Sequence, residues 1–389
     1  MPSAHAKLSP SAADRWMQCP GSIALCESLG LTSSPPSRFS AEGTFAHSIR
    51  AKCLETKCDP REFIGVTETV DGFEFTCDGA MADHLRPGID SLRHIGGDLH
   101  VEVKLDLDKW IPGGFGTSDA VVITGNTLIV DDLKFGSGVP VSAKDNRQLM
   151  IYALGALALH PKAKTIVLNI DQPRTGDGTG SSATVTRAQL LAFGKTVKAA
   201  ALAATSPGAP LVPGEKTCKW CPAKGACSAL AAYTAREMGM TGDSEGRTHI
   251  PEVQSLTPQQ RANILTAKPL IESWLEAVHA ASLADALAGQ PDPGWKVVEG
   301  RRGNRAWVAG AERILVGMLG DAAFEKKLIS PAAADKLAPK DFIAPLVTQP
   351  DGKPALVAVD DKRPSIGVVI TAASMEAPAP TPVGISFFD

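Results

Sequence analysis

A predicted β-hairpin around Gly125-Asn126 constrains the fold of this chain more than any other feature. Gly-Asn lies between two runs of β-branched and apolar residues, which is typical of a two-residue hairpin turn. Pairing Thr124 with Thr127 sets the register, and counting outward places Asp119 directly opposite Asp132. Opposed side chains have Cβ atoms about 5 Å apart, and like charges there are destabilising unless a partner neutralises them. The hairpin therefore predicts a cation between two carboxylates.

Alternation along the second strand adds a lysine to the same face. Asp132 and Lys134 are two residues apart and share a face, whereas Asp131 points to the opposite one. Both faces of the hairpin are otherwise mainly apolar, which indicates a sheet covered on both sides. An acid-acid-lysine cluster at the end of such a strand suggests a metal-dependent phosphodiester site. Structural ion pairs produce similar clusters, and a solvated hairpin with charged ends is the alternative.

Four motifs resemble those of the RecB-like branch of the PD-(D/E)xK nuclease superfamily over residues 1–230. In chain order they are Gly43-Thr44-Phe45-Ala46-His47, Gly116-Thr117-Ser118-Asp119, Asp132-Leu133-Lys134 and Gln148-Leu149-Met150-Ile151-Tyr152. The resemblance implies a restriction-endonuclease-like α/β core, a mixed sheet flanked by helices, and metal-dependent hydrolysis of DNA by an exonuclease. It also implies that the metal ligands are His47, Asp119 and Asp132 and that Lys134 works on the attacking water.

The same four motifs bear on which metal binds and on the roles of Gln148 and Tyr152. Mg²⁺ and Mn²⁺ prefer oxygen ligands, and Mn²⁺ tolerates an imidazole better. Gln148 and Tyr152 lie four residues apart on a predicted helix, so they share a face and are expected to reach a nucleic-acid strand. Without the resemblance, ordinary helix surface or core explains both residues, and a structural histidine explains His47. Glu102 is predicted to be an exposed residue on the polar side of a strand.

A second signal comes from the cysteines. Cys218, Cys221 and Cys227 form a C-x2-C-x5-C run, and Cys19 lies far upstream. Four thiolates suit either a tetrahedral Zn²⁺ or a [4Fe-4S] cluster, and the spacing alone does not decide between them. The layout resembles that of iron-sulfur RecB-like nucleases, which implies a cluster that joins the two ends of the nuclease domain. The other four cysteines are predicted to be reduced thiols.

Composition limits the setting in which the protein works. We expect a cytoplasmic protein, since the sequence has neither a secretory leader pattern nor an apolar run of about 18 residues. A resemblance to phage-encoded proteins, described below, implies that the cell is a bacterial host. Eight cysteines then favour metal binding over disulfides. The net charge of -3 argues against DNA binding by bulk charge, so affinity for DNA must come from local patches.

The sequence predicts a nuclease domain, a linker, an accessory domain and a tail. The domains span residues 1–230 and 256–370, the linker residues 231–255 and the disordered tail residues 371–389. In the mainly helical accessory domain, an apolar stripe that includes Leu270, Ile271, Leu275 and Val278 is expected to be mostly core. Arginines between Trp295 and Trp307 suit phosphate contacts and base stacking, although a solvated basic turn explains them equally well.

The C-terminal half resembles the corresponding part of phage-encoded RecB-like proteins, which implies a role in phage DNA replication or recombination. The last six residues, 384–389, end in two phenylalanines and an aspartate. They are expected to bind a replication protein, either the sliding clamp or a single-strand-binding protein, unless they fold back on the chain itself. A non-catalytic nuclease-fold protein that binds DNA or acts as a scaffold is the alternative to an enzyme, and a zinc-stabilised structural protein is a third hypothesis.

Overall fold

The computed structural model describes residues 6–31, 37–176, 178–242 and 248–298, and also 316–318, 331–334, 337, 339, 341, 346 and 347. The chain divides into two units, Met1–Val297 and Val298–Asp389. The helices of the first unit are α1 (Ala13–Trp16), α2 (Ser22–Ser28), α3 (Arg38–Thr56), α4 (Gly79–Ile95), α5 (Arg147–Ala156), α6 (Arg187–Thr205), α7 (Glu215–Cys218), α8 (Ser228–Glu237) and α9 (Pro258–Leu287). Its strands are β1 (Thr67–Val70), β2 (Phe73–Thr76), β3 (Asp98–Asp106), β4 (Phe115–Thr124), β5 (Thr127–Leu133), β6 (Thr165–Asp171), β7 (Ser181–Thr186), β8 (Thr241–Gly242) and β9 (Thr248–His249). A helical turn at Pro331–Ala334 is described in the second unit.

The central sheet has five strands in the spatial order β3-β4-β5-β6-β7. Strands β5 and β6 are parallel, since helix α5 lies in the connection between them, and the other neighbours are antiparallel. The β4–β5 hairpin has the predicted register, with Thr124 paired to Thr127. Gly125 in its turn has a φ of 55°, which glycine adopts without the steric penalty of a Cβ. The predicted fold class, a mixed sheet flanked by helices with a helical C-terminal region, is confirmed.

Helices cover both faces of this sheet, as the sequence predicts. On one face Val121, Leu128 and Val130 pack in a core with α1, α5 and α6. On the other face Val122 and Ile129 pack in a core with α3 and α4. Burying a side chain of this size stabilises the fold by about 1.5–3 kcal/mol. The hairpin is thus fixed between two helical layers, and so are the carboxylates at its end.

Side-chain caps set where the functional helices begin. Ser37 precedes α3 and accepts a hydrogen bond from a backbone N–H of its first turn, and Asn146 does the same for α5. These two helices carry His47 and Gln148. Thr257 caps α9 in the same way.

Two segments differ from the sequence predictions. Residues 174–184 are rich in glycine, serine and threonine, which predicts a loop, but residues 181–184 begin β7, where side chains alternate between half-buried and exposed positions at the edge of the sheet. In α9, Leu270 and Ile271 are buried as predicted, but Leu275 and Val278 are exposed. The apolar stripe of α9 is therefore wider than the surface that covers it within the described residues.

The domain boundaries stay predictions. Part of the predicted linker, 231–255, lies in α8 and in strands β8 and β9, and α9 belongs to the first unit. The arginines between Trp295 and Trp307, and the predicted tail at 371–389, lie outside the described residues. None of the described helices combines the length and apolarity needed to cross a bilayer.

Candidate functional site

Strands β3, β4 and β5 carry three acidic residues in one row across the sheet. The antiparallel pairing of β3 with β4 continues on both sides of Glu102 and Asp119 and so sets them opposite each other. The β4–β5 pairing reaches Ala120 and Asp131, and one further step sets Asp119 opposite Asp132. Asp119 therefore lies between two other carboxylates on neighbouring strands.

His47 completes a group of metal-ligand type with two of these acids. One ligand atom each from His47, Glu102 and Asp119 lie within 4.8 Å of one another. His47 Nδ1 is 3.2 Å from Asp119 Oδ2, and the backbone N–H of Leu133 donates to the same oxygen at 2.8 Å. One imidazole nitrogen and two carboxylates suit Mn²⁺, and the carboxylates suit Mg²⁺. The predicted ligands His47 and Asp119 are thus brought together.

Glu102 corrects the sequence prediction of an ordinary exposed strand residue. Its side chain is exposed, but it joins the ligand group. Its backbone has a φ of 46°, in the left-handed region, which costs a non-glycine residue about 1–3 kcal/mol. Loss of hydration and the charge of Asp119 raise the pKa of Glu102. Strain and charge crowding at one residue are typical of functional sites.

Contact between His47 and Asp119 shifts the pKa of both groups. Burial lowers the pKa of His47, but the hydrogen bond and charge of Asp119 outweigh it, so the net pKa is raised. Burial raises the pKa of Asp119, but contacts with His47 and Arg50 outweigh it, so the net pKa is lowered. A metal ion binds the neutral imidazole, so metal binding here would compete with protonation of His47.

Asp132, Lys134, Gln148 and Tyr152 form a continuous polar chain beside this group. Lys134 Nζ is 2.6 Å from Asp132 Oδ2 and donates to Gln148 Oε1 at 3.1 Å. The Gln148 amide donates to Asp132 Oδ1 at 2.9 Å and to the Tyr152 hydroxyl at 3.4 Å. Burial raises the pKa of Asp132 to about 6, although Lys134 opposes that effect. The predicted catalytic side chains therefore meet, and Asp132 is engaged by Lys134 and Gln148.

Gly116 accounts for the glycine at the start of the motif that ends in Asp119. A Cβ at this position would lie 2.9 Å from the Tyr152 ring and 2.9 Å from Pro10. Contacts that short force the neighbouring atoms to move. Glycine is therefore the residue that lets α5 bring Tyr152 against β4.

Asp171, at the end of β6, is a buried carboxylate next to the site. It is 8% exposed, and its Oδ2 accepts no hydrogen bond from the described residues. Arg50 NH2 is 3.6 Å from that oxygen. Burial raises the pKa of Asp171 to about 6, although Arg50 opposes that effect.

Asp171→Asn should stabilise the metal-free protein at neutral pH. Because the unfolded pKa is about 3.9, the folded state holds the Asp171 proton more tightly, and stability falls as pH rises from about 4 to 6. Above pH 6 the ionised Asp171 lowers the free energy of unfolding by the full amount, and the neutral Asn restores about 2 kcal/mol of it. Urea unfolding in EDTA should show this gain at pH 7.5 and a clearly smaller gain at pH 4.5, where the folded protein keeps the Asp171 proton. The exposed Asp98→Asn serves as control, and an equal stability of wild type and Asp171→Asn at both pH values would contradict the prediction.

The cysteine segments from the two ends of the first 230 residues lie together. Cys19, Cys218, Cys221 and Cys227 line one small cavity. The backbone N–H groups of Val212 and Gly214 donate to the sulfur atoms of Cys19 and Cys218, at 3.2 and 3.4 Å. Within the described part of the chain, no three of these sulfur atoms lie within 4.8 Å of one another. The structure thus brings the predicted ligands to one cavity at a wide spacing.

Backbone contacts and a helix hold this cavity in place. Gly21 N donates to Pro210 O at 2.9 Å, and a Cβ at Gly21 would lie 2.4 Å from Ala209 O, so the two segments touch closely. Helix α9 packs against Cys218 and Cys227 through Leu270. The predicted accessory domain therefore begins with a helix that covers the cysteine segment.

Cys26, which was predicted to be an ordinary reduced cysteine, lies next to Cys221 but does not line the cavity. It packs with Cys221 and accepts a hydrogen bond from Arg15 NH1 at 3.0 Å. The hydrogen bond with Cys221 and the nearby Arg15 lower the pKa of Cys26 to about 6, against the effect of burial. No feature of the cysteine spacing in the sequence distinguishes Cys26 from the other unassigned thiols.

Comparison with known proteins gives a family and distantly similar solved structures. The profile of a family described as "Protein of unknown function (DUF2800)" matches residues 5–364. A solved structure titled "Crystal structure of SSO0001" is similar to this chain at 16% sequence identity and a TM-score of 0.27. That alignment covers 56% of this chain and 85% of the other.

Proposed function

This chain belongs to the DUF2800 family, and we propose that it is a Mg²⁺- or Mn²⁺-dependent DNA exonuclease of the RecB-like type. The observation that carries the proposal is the His47, Glu102 and Asp119 ligand group beside the chain of Asp132 and Lys134. The motif resemblance supports DNA as the substrate and phage DNA replication or recombination as the setting. Asp132 is proposed as a further metal ligand, since the register sets it opposite Asp119.

Charge supports a divalent cation at this site. Among the described residues here, the carboxylates of Glu102, Asp119, Asp131, Asp132 and Asp171 face the permanent cations Arg50 and Lys134. Carboxylates outnumber cations, and like charges this close are destabilising without a counter-ion. When bound, Mg²⁺ or Mn²⁺ would polarise a scissile phosphate and lower the pKa of a water molecule.

The side chains around Lys134 would perform the rest of the chemistry. Asp132 and Gln148 hold the Lys134 ammonium, which fixes a positive charge at the end of β5. A fixed charge stabilises negative charge that develops on a phosphate without first having to reorganise. Tyr152, hydrogen-bonded to Gln148, sets the orientation of the amide. These residues therefore position Lys134 rather than act on it chemically.

We propose a [4Fe-4S] cluster for the cysteine cavity in preference to zinc. The layout of one upstream cysteine and a downstream triplet resembles that of iron-sulfur RecB-like nucleases, and this resemblance supports the cluster. The meeting of all four cysteines at one cavity is compatible with either group. The N–H donors to Cys19 and Cys218 are of the kind that tunes cluster potentials.

Digestion of end-labelled DNA tests the proposed activity. Protein purified without oxygen is incubated with labelled single- and double-stranded DNA, with Mn²⁺, with Mg²⁺ or with EDTA. Metal-dependent release of nucleotides from an end supports the exonuclease. Binding of DNA without release under every condition would favour the alternative of a non-catalytic, nuclease-fold scaffold.

Glu102→Gln should weaken Mn²⁺ binding while leaving the fold intact. The carboxylate is exposed, so its neutral isostere removes a ligand charge without opening a cavity. Loss of an outer-shell partner typically weakens metal binding about 10–100-fold, and loss of a ligand should do at least as much. Electron paramagnetic resonance of free Mn²⁺ measures the affinity. Glu74→Gln, an exposed glutamate on β2, is the matched control, and equal affinities for both variants would remove Glu102 from the site.

The cysteine cavity makes a prediction of its own. Protein purified without oxygen should be brown and contain iron and sulfide, and Cys19→Ser should lower both the iron content and the unfolding midpoint, because ligation closes a long loop. Cys53→Ser, a buried thiol outside the cavity, is the control for iron content. Colourless protein with one zinc per chain would contradict the cluster.

A further inference from the structure

A buried arginine that the sequence motifs do not include lies next to the metal-ligand group. Arg50 lies three residues after His47 on α3 and is 2% exposed. Its NH2 group is in close contact with Asp131 Oδ1, and its NH1 group is 3.9 Å from Asp119 Oδ2. Asn169 on β6 donates to the other oxygen of Asp131. Arg50 thus links α3 to three strands of the sheet.

Position along the helix connects this ion pair to the ligand group. Residues three apart lie on the same face of a helix, about one turn from each other. Arg50 and His47 therefore face the sheet together, Arg50 against Asp131 and His47 against Asp119. Where Arg50 is fixed, His47 is fixed as well, because the helix between them is rigid.

Three groups close to one oxygen of Asp119 limit where its carboxylate can lie. His47 Nδ1, Leu133 N and Arg50 NH1 all approach its Oδ2, at 3.2, 2.8 and 3.9 Å. His47 and Leu133 orient the carboxylate, and the Arg50 guanidinium adds its positive charge at 3.9 Å without a hydrogen bond among the described residues. The planar guanidinium can serve Asp131 and Asp119 from different nitrogens, whereas a lysine ammonium is a single point charge.

We propose that Arg50 is a positioning residue: its buried ion pair with Asp131 holds α3 against β5 and sets His47 at the distance from Asp119 and Glu102 that metal binding requires. The inference rests on the proposed metal site and adds the residue that sets its geometry. If Arg50 acted only through its charge, removal of that charge would strengthen metal binding, because a positive charge 3.9 Å from a ligand oxygen opposes cation binding.

Direct Mn²⁺ binding to the full chain, without DNA, tests the proposal. Arg50→Lys keeps the charge and loses the planar fork, and should weaken Mn²⁺ binding about 10–100-fold, as loss of an outer-shell partner does. The double variant Arg50→Met with Asp131→Asn removes both buried charges, so it should fold. It should bind Mn²⁺ as weakly as Arg50→Lys does. Arg61→Lys is the control, since Arg61 makes a similar forked contact with Asp83 on the exposed surface.

The outcomes separate this proposal from the proposed function. Weaker Mn²⁺ binding in both Arg50 variants, with unfolding midpoints well above the assay temperature, supports positioning. Unchanged or tighter binding in folded Arg50→Lys overturns it while leaving the metal site in place. Wild-type protein that binds no Mn²⁺ overturns both the metal site and the role of Arg50.

Discussion

Asp119→Asn is expected to abolish metal-dependent DNA digestion while the protein stays folded. Asp119 is the acid shared by the His47 contact, the Glu102 group and the row with Asp132. Asn keeps the shape and the hydrogen bond from Leu133 but loses the charge that a cation needs. Since removal of one electrostatic contact in an active site costs about 10²–10³-fold in rate, we expect a loss of kcat/KM at least that large.

Lys134→Ala is expected to show a loss of similar size with a different cause. Asp119→Asn should lose Mn²⁺ affinity, whereas Lys134→Ala should bind Mn²⁺ and fail in the chemical step. Single-turnover digestion at saturating Mn²⁺ distinguishes the two variants. Asp98→Asn and Lys104→Ala, at exposed positions of β3, are the matched controls. Full activity in both the Asp119 and Lys134 variants would remove the site from this end of the hairpin.

The hairpin part of the site follows from local sequence. Gly125 and the alternation of apolar residues determine the turn, the register and the faces, so the amino-acid sequence alone is enough to place Asp119, Asp132 and Lys134. Gln148 and Tyr152 follow from helix spacing. These are short-range relations, and the folded chain brings the residues together as expected.

The parts that sequence reasoning misses depend on contacts between distant segments. Glu102 reads as a polar strand residue, because alternation predicts neither its left-handed backbone nor its place opposite Asp119. Arg50 reads as one more charged residue on a helix, and its partner Asp131 lies 81 residues away. Cys26 shares no ligand spacing with the run that contains Cys221. Tertiary packing, rather than local pattern, determines these three residues.

The effect of Asp131 on stability is likewise not predicted by the local sequence. The hairpin register correctly turns Asp131 away from Asp132, and a residue that faces away from the catalytic cluster is expected to tolerate substitution. The structure leads to a different prediction, because Asp131 is 2% exposed and faces the buried Arg50. Its other oxygen accepts a hydrogen bond from Asn169.

Asp131→Asn should therefore destabilise the protein strongly. Breaking a buried ion pair from one side leaves an uncompensated charge and typically costs about 3–5 kcal/mol. Asp171 and Asp119, at 3.6 and 3.9 Å from the guanidinium, reduce that cost without removing it. Urea unfolding in EDTA at pH 7.5 measures the loss.

Asp171→Asn provides the comparison for Asp131→Asn, because it makes the same chemical change beside the same arginine. It is expected to raise the free energy of unfolding, whereas Asp131→Asn is expected to lower it. The double variant Arg50→Met with Asp131→Asn should recover most of the stability lost in Asp131→Asn, since it removes the charge that the single variant leaves unpaired. A small loss in Asp131→Asn, or no recovery in the double variant, would show that Asp131 is not the principal counter-ion of Arg50. Recovery of stability without recovery of Mn²⁺ affinity would separate the contribution of this ion pair to folding from its contribution to the metal site.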